Sequence, residues 1–206
     1  MSNTQAQSNS FTDEVVLRIL EGAGRCFCHS GPRKTSMLDI AEAAGVGRQT
    51  VYRRFANKEA IIETLFEYRA RTLLESMTAK SYTGADIEDA IIDTSLDWVQ
   101  LVKRDLVMRA IIDESDSHET ELFLVGGRSV LQRIAEQIWD PILSSARRNG
   151  SLRNLTTKQA IQYVRATHYV LHKRDDLTER ERVEYAKNTL LTTLLRDEKN
   201  KYARSR

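Results

Sequence analysis

The chain contains little of what breaks helices, crosslinks small domains or crosses membranes. Its 206 residues include 2 prolines, 9 glycines and 2 cysteines. So few breakers favour long, uninterrupted elements, and two cysteines are too few for a disulfide framework. No apolar run reaches the roughly 20 residues of a membrane-spanning helix, and no secretory hydrophobic segment follows Met1. We therefore expect a soluble, cytoplasmic protein with reduced thiols and no membrane partner.

The hydrophobic residues follow a helical pattern. They make up 41% of the chain, which is ample for a packed core, and they recur at steps of three and four residues far more often than at steps of two. This spacing predicts an all-α fold of about nine helices. Gly126-Gly127 and Pro141 are possible breaks in the seventh helix, because both residue types interrupt helices.

Positive charge is concentrated in one short segment. The formal net charge is only +2, but residues 25–58 hold seven basic and two acidic side chains. Residues 59–206 are nearly balanced, with 23 basic and 24 acidic ones. A local excess of this kind is the footprint expected for contact with a polyanion. An ordinary solvated face is the alternative interpretation of the charge alone.

The stretch DIAEAAGVGRQTVYRRF, residues 39–55, interrupts a strong helical pattern with two glycines. Ser36 is placed to cap a short helix, with an acidic residue three positions later that can reach back. Gly45 suits the left-handed residue that ends this helix, and a second short helix runs from about Arg48 to Phe55. Two short helices joined by a three-residue turn, the second of them basic, indicate a helix-turn-helix. The side chains expected to be buried on the first helix are Leu38, Ile40, Ala41 and Ala44.

The second short helix is sized for the major groove of DNA. Arg48 and Gln49 lie at its N-terminus, where recognition helices meet base edges, and Arg and Gln bind guanine and adenine edges in bidentate fashion. Hydroxyl and basic side chains that follow suit phosphate contact, and helix starts near Ser36 and Asn57 offer backbone N–H groups to phosphates. The predicted DNA-contacting residues are Thr35, Ser36, Arg48, Gln49, Thr50, Tyr52, Arg53, Arg54 and Lys58.

A set of short motifs is spread over residues 11–59. They are Thr35-Ser36, Asp39-Ile40-Ala41, Ala44-Gly45-Val46, Thr50-Val51-Tyr52, Phe55 and Asn57-Lys58-Glu59. Together they resemble the N-terminal domain of the TetR family of transcriptional regulators. Gly47 departs from the pattern, since the family usually has Ser there, and the second helix thereby loses a hydroxyl cap. The resemblance implies phosphate contact by the Tyr52 hydroxyl, and a longer helical domain that holds an effector and pairs with a second subunit.

The resemblance divides the chain and implies a homodimer. The predicted parts are a disordered arm (1–10), a helix-turn-helix DNA-binding domain (11–57), an effector-binding and dimerisation domain (58–199) and a polar tail (200–206). The last two helices carry narrow apolar stripes that suit a four-helix interface between subunits; packing within one chain is the alternative. The residues predicted at this interface are Tyr163, Val164, Thr167, Leu171, Val183, Ala186, Leu190 and Leu194.

An effector pocket follows from the resemblance, whereas metals and cofactors are not expected. Cys26 and Cys28 are two residues apart and face different sides of a helix, and His118 lies in an acidic connector that suits a solvated loop. Aromatic and sulfur-containing side chains could line the pocket. The predicted pocket residues are Phe66, Trp98, Met108, Phe123, Trp139 and Tyr163.

These features predict a sequence-specific DNA-binding regulator. The simplest form is a repressor that a small-molecule effector releases from an inverted-repeat operator. A DNA-binding architectural or division-linked factor without an effector would share the same N-terminal features and is the alternative. An enzyme is not expected, because the sequence shows no nucleophile–base pair, phosphate-binding loop or zinc signature.

Overall fold

Helices account for the regular structure of the described chain. The computed structural model describes residues 11, 13–78, 86–114 and 129–196. Its helices are α1 (Glu14–Ser30), α2 (Met37–Ala44), α3 (Arg48–Arg54), α4 (Lys58–Thr78), α5 (Ile87–Arg104), α6 (Leu106–Glu114), α7 (Ser129–Arg148), α8 (Thr157–Lys173) and α9 (Glu179–Ala186). A π-helical segment, Lys187–Leu191, continues α9 into a last turn, Thr192–Leu194, and residues 179–194 together form the C-terminal helix. The described ranges contain no strand, so the predicted all-α fold is confirmed.

The chain folds as two compact units. Among the described residues, the first unit comprises residues 13–72 and 104–114, and the second comprises residues 73–103 and 129–196. The first unit therefore holds α1 to α3, most of α4, and α6. The second holds most of α5, together with α7, α8 and the C-terminal helix.

Close packing of α1 against α2 organises the first unit. A Cβ added to Gly22 would lie 2.8 Å from the backbone nitrogen of Ala44, so only glycine allows the two helices to approach this closely. Ile40 is fully buried on the same face of α2, as expected. Leu38 was expected to be buried but is 48% exposed. Two residues before Ile40, it falls on the opposite face of the helix.

Helix α6 is also part of the first unit. Asp105 precedes it, and its Oδ1 accepts a hydrogen bond of 3.0 Å from the backbone nitrogen of Met108. The Oδ2 atom of the same carboxylate accepts a hydrogen bond of 2.9 Å from Nε of Arg69 on α4 and a second one from Nη2. Val107 packs over Gly24 of α1, with its Cγ2 3.4 Å from the position that a Cβ would occupy. A bidentate ion pair and a close helix contact thus attach α6 to α4 and α1.

The second unit has one continuous apolar core. Helices α5, α7, α8 and the C-terminal helix all contribute to it, and Trp139 of α7 is its largest buried side chain. Helix α7 passes through Pro141 without ending, so the predicted break there is wrong. Pro141 and Gln137, the residue four positions earlier, are both exposed. Water can therefore reach the Gln137 carbonyl that a proline leaves without its helical hydrogen bond.

The turn after α7 is fixed to the end of the C-terminal helix. Gly150 has φ 76°, which suits glycine at the end of a helix. Arg153 donates from its backbone nitrogen to the Leu194 carbonyl at 2.8 Å and from Nε to the Leu195 carbonyl at 2.7 Å. In the described part of the chain, no helix is both long and apolar enough to span a membrane. Gly126-Gly127, residues 1–10 and residues 200–206 lie outside the described ranges.

Candidate nucleic-acid interface

The corner between α2 and α3 has the geometry expected from the sequence. The Ser36 hydroxyl accepts a hydrogen bond of 3.2 Å from the backbone nitrogen of Asp39, and the Asp39 carboxylate accepts one of 2.8 Å from the Ser36 nitrogen. This capping box starts α2. The Ser36 backbone nitrogen and hydroxyl both donate to the Asp39 carboxylate, and these two hydrogen bonds lower the pKa of that carboxyl. Gly45 ends α2 with φ 64°, in the left-handed region.

The apolar side of α3 packs against the first unit, and its polar side faces solvent. Val51 is fully buried and Phe55 is 7% exposed, so these two side chains hold the helix against the unit. Arg48, Gln49 and Arg53 are exposed. The guanidinium carbon of Arg48 lies 5.4 Å from the centroid of the Tyr52 ring, and Tyr52 itself is 44% exposed. A cation–π contact therefore orders the first turn of the exposed face.

Four of the predicted DNA-contacting side chains are engaged within the first unit. Thr35 is buried, and its hydroxyl donates to the Gly31 carbonyl at 2.7 Å. Ser36 participates in the capping box described above. Nζ of Lys58 donates to the Pro32 carbonyl at 2.7 Å and to the Thr35 carbonyl at 3.0 Å. Arg54 forms an ion pair of 2.8 Å with Asp13, the N-cap of α1. Thr50 is half-buried on α3.

A recess beside this corner adds a basic side chain that the predicted set omitted. It has a volume of about 490 Å³ and is lined by Arg25, Cys26, His29, Ser30, Lys34, Thr35 and Asp39. Lys34 is exposed next to the start of α2, and its place within the basic segment could have marked it as a phosphate contact. Sγ of Cys26 lies 3.6 Å from the Asp39 carbonyl oxygen. Burial raises the pKa of the Cys26 and Cys28 thiols, which keeps both in the protonated form at neutral pH.

The predicted pocket residues are distributed over different parts of the molecule. Phe66 and Met108 are buried in the first unit, whereas Trp139 is buried in the core of the second. Trp98 is partly buried on α5, and Phe123 lies outside the described residues. Tyr163 is 48% exposed on α8. Aromatic identity alone could not separate core, pocket and surface positions, since all three accept these side chains.

Most of the predicted dimer-interface residues are already buried within one chain. Val164, Leu171 and Ala186 are fully buried, as are Leu190 and Leu194, and Thr167 is 6% exposed. The prediction that these six face a partner must therefore be corrected. The narrow apolar stripe that suggested an interface is instead the face that α8 and the C-terminal helix turn to their own core. Only Tyr163 and the half-buried Val183 remain accessible.

Comparison with known proteins finds similarity to helix-turn-helix regulators, which agrees with the arrangement of α2 and α3. Residues 19–65 match the family model described as bacterial regulatory proteins, tetR family. The HTH-type transcriptional regulator YhgD of Bacillus subtilis is 29% identical over 131 residues, which is 61% of this chain and 62% of YhgD. A TetR family transcription regulator from Shewanella sp. PV-4 has the same fold, with a TM-score of 0.65 and 17% identity over 88% of this chain and 98% of that one. FadR from Bacillus subtilis, in complex with stearoyl-CoA, matches with a TM-score of 0.56 and 20% identity over 85% of this chain and 95% of that one.

The exposed basic helix and the corner that holds it have the geometry of a helix-turn-helix, and the chain spans 62% of the length of YhgD. Residues 19–65 thus match the tetR family model, the chain is similar to HTH-type transcriptional regulators over part of its length, and its fold is that of solved TetR family proteins.

Proposed function

We propose that the protein binds a specific DNA operator through α3 and that a small-molecule effector releases it. The observation that carries the DNA-binding part is the exposed N-terminal turn of α3, held by the buried Val51 and Phe55. Arg48 and Gln49 are the base-reading residues, because recognition helices read base edges with their N-terminal side chains. Tyr52 and Arg53 are the phosphate contacts on the same exposed face.

The predicted DNA-contacting side chains that bond within the first unit position the proposed DNA interface and do not contact DNA themselves. Lys58 ties the start of α4 to the turn before α2 through the Pro32 and Thr35 carbonyls. Because this turn sets where α2 begins, Lys58 also sets the place of Ser36 and of the exposed Lys34. We assign Lys34 to a phosphate, and Thr35 to the internal support of the turn.

The proposed operator is an inverted repeat that a homodimer recognises. Two recognition helices in successive major grooves would lie about 34–36 Å apart on one face of the DNA. The outer face of α8 supplies the dimer contact in this proposal. Tyr163 and Ala166 are exposed there and Val170 is half-buried, at the three- and four-residue spacing of one helix face. Tyr163 is the anchor, since large aromatic side chains contribute most to such contacts.

The effector-release part is supported by the division of the chain into two units and by the family. FadR, which shares the fold, was crystallised with an acyl-CoA. Release requires only that the effector prefers the conformation in which the two α3 helices do not match the operator. A coupling free energy of about 1–3 kcal/mol changes DNA affinity roughly 5–150-fold. A DNA-binding factor without an effector remains the competing proposal.

Selection from a pool of randomised duplexes tests the DNA-binding proposal. Bound fragments should be enriched in a two-fold-symmetric sequence, and fluorescence anisotropy on the selected duplex should show an affinity that falls steeply with salt. Arg48→Ala and Gln49→Ala should each cost about 1–3 kcal/mol on this duplex and relax selection at one base pair. Arg148→Ala, which removes an exposed arginine at the end of α7, is the matched control and should bind like the wild type. Failure to enrich any symmetric sequence would refute the proposal.

A further inference from the structure

Arg48 begins α3 in surroundings that do not stabilise its charge. It is exposed, and its helix has no acidic residue in the first turn. In the part of the chain that the structure describes, no carboxylate pairs with Arg48, whereas other arginines of the first unit do have carboxylate partners, namely Arg54, Arg69 and Arg71. A positive side chain at the N-terminus of a helix also lies at the positive end of the helix dipole. Stability of the fold therefore does not explain an arginine at this position.

An aromatic ring holds the side chain of Arg48 instead. The guanidinium carbon lies 5.4 Å from the centroid of the Tyr52 ring. Because the two residues are four positions apart, they lie on the same face of α3. An arginine contacts an aromatic ring through the face of its guanidinium, whereas its hydrogen-bond donors lie in the plane. No hydrogen bond joins the Arg48 side chain to another described residue, so the ring orders this side chain without occupying its donors.

The helix that carries the Tyr52 ring fixes its position. The neighbouring Val51 is fully buried, and Phe55, just after the helix, is 7% exposed. These two side chains pack α3 against the first unit, so Tyr52 stays on the outer face, where it is 44% exposed. A tyrosine side chain has only two χ angles and offers a rigid contact surface. Arg48 therefore has less conformational freedom left to lose when it binds a ligand.

We propose that the Tyr52 ring positions Arg48 to read a guanine in each half of the operator, so that Tyr52 determines base specificity by acting through Arg48. Guanine presents two acceptors, O6 and N7, to the major groove, and a guanidinium donates to both at once. The other bases do not offer this pair of acceptors, so a guanidinium held in place gains its full contact only on guanine. This inference rests on the DNA-binding function proposed above for α3, and it names the base that the first residue of α3 selects.

Discrimination at one base pair is the quantity that tests this role. Arg48→Ala identifies the pair, because selection from randomised duplexes relaxes there. The duplex enriched by the wild type is then compared with one in which A·T replaces this G·C pair in both half-sites. Fluorescence anisotropy gives the ratio of the two affinities for the wild type, Tyr52→Phe and Tyr52→Leu. An exposed cation–π contact corresponds to about 2- to 5-fold in affinity, and two half-sites multiply this to about 4- to 25-fold.

The two tyrosine variants separate the ring from its hydroxyl. Tyr52→Phe keeps the ring and loses the hydroxyl assigned to a phosphate, so it should weaken binding to both duplexes equally and leave their affinity ratio unchanged. Tyr52→Leu removes the ring, so the ratio should fall by about 4- to 25-fold. In an Arg48→Ala background, Tyr52→Leu should not change the ratio, since the residue through which Tyr52 acts is gone. A ratio that Tyr52→Leu leaves at the wild-type value, or lowers equally without Arg48, would overturn the proposal.

The other base pairs of the selected duplex distinguish this role from a structural one. Tyr52→Leu should leave discrimination at those pairs at the wild-type value. An equal loss at every pair would mean that Tyr52 only supports α3, and would overturn the proposal. If Arg48→Ala relaxes selection at no pair, or at a pair other than G·C, this inference fails while selective DNA binding through α3 still stands. If the wild type enriches no symmetric sequence, the proposed function and this inference fail together.

Discussion

Arg54, the last residue of α3, forms an ion pair of 2.8 Å with Asp13, the residue that caps α1. Oδ1 of the same aspartate accepts hydrogen bonds of 3.0 Å and 3.3 Å from the backbone nitrogens of Val15 and Val16. One carboxylate therefore starts α1 and holds the end of α3. Arg53 and Arg54 are both exposed, but among the described residues the ion pair with Asp13 is formed by Arg54.

This difference predicts unequal effects of the two arginines on the salt dependence of DNA binding. Arg53→Ala should reduce the slope of log affinity against log salt by about 0.9 for each phosphate that the protein no longer neutralises. Arg54→Ala should change the slope less, because its charge is paired with Asp13. Anisotropy titrations at several salt concentrations measure both slopes. Equal slope changes would mean that Arg54 leaves Asp13 when DNA binds.

The ion pair should also couple the stabilities of α1 and α3 weakly. A double-mutant cycle with Asp13→Asn and Arg54→Ala should give about 0.2–1 kcal/mol, because both side chains are partly exposed and such pairs are screened by water. Urea unfolding of the four proteins measures the coupling. Asparagine is chosen because it retains the ability to cap α1.

Two glycines of α1 should respond oppositely to the same substitution. Gly22→Ala should destabilise the protein by about 1–3 kcal/mol, since the new Cβ would meet the backbone of Ala44 and force the helices apart. Gly24→Ala should be neutral or stabilising by up to about 1 kcal/mol, because alanine favours helix and the nearest atom is a movable methyl of Val107 at 3.4 Å. Denaturant unfolding decides the sign, and a tolerated Gly22→Ala would contradict the close packing.

A hydroxyl at position 47 should stabilise α3. Gly47 is the N-cap of α3, has φ −67° and provides no side-chain hydrogen bond. An added Cβ would meet only Thr50 Oγ1, at 4.0 Å, so Gly47→Ser has room to cap the helix. The expected gain in the free energy of unfolding is a few tenths of a kcal/mol. Gly47→Ala has no capping oxygen and is the control, so equal gains in both variants would exclude capping as the cause.

His168, which is half-buried with its Nε2 inaccessible to solvent, predicts how stability depends on pH. The pKa of His168 is about 3 in the folded protein and about 6.5 in an unfolded chain, so the unfolded state binds more protons between these values. The contribution of this group is complete above pH 6.5 and is lost as the pH falls towards 3. Between pH 6.5 and pH 5 the loss should be about 1.6 kcal/mol, because the unfolded imidazole is half protonated at pH 6.5 and the slope approaches about 1.4 kcal/mol per pH unit only below that. His168→Phe should remove this part of the slope, which urea unfolding at several pH values would measure.

Short-range patterns in the sequence were sufficient to predict the helices and the turn between α2 and α3. The steps of three and four residues, the Ser36–Asp39 cap and Gly45 each depend on neighbours within one or two turns, and the structure contains all of them. The exposed face of α3 followed in the same way, because Val51 and Phe55 mark its buried side.

Tertiary packing decided which helix faces and which charged side chains remain accessible, a question that local patterns leave open. An apolar stripe shows which side of a helix is covered but not by what, and so the stripe of α8 that suggested a partner subunit is buried in its own core. A basic side chain in the segment predicted to contact DNA is equally ambiguous, since the ion pair of Arg54 with Asp13 and the carbonyl contacts of Lys58 join residues far apart in the chain. The sequence by itself determined the helical elements and the helix-turn-helix, because these depend on short-range spacing. Only the tertiary structure determined which stripes and charges remain accessible, because burial depends on contacts between segments distant in sequence.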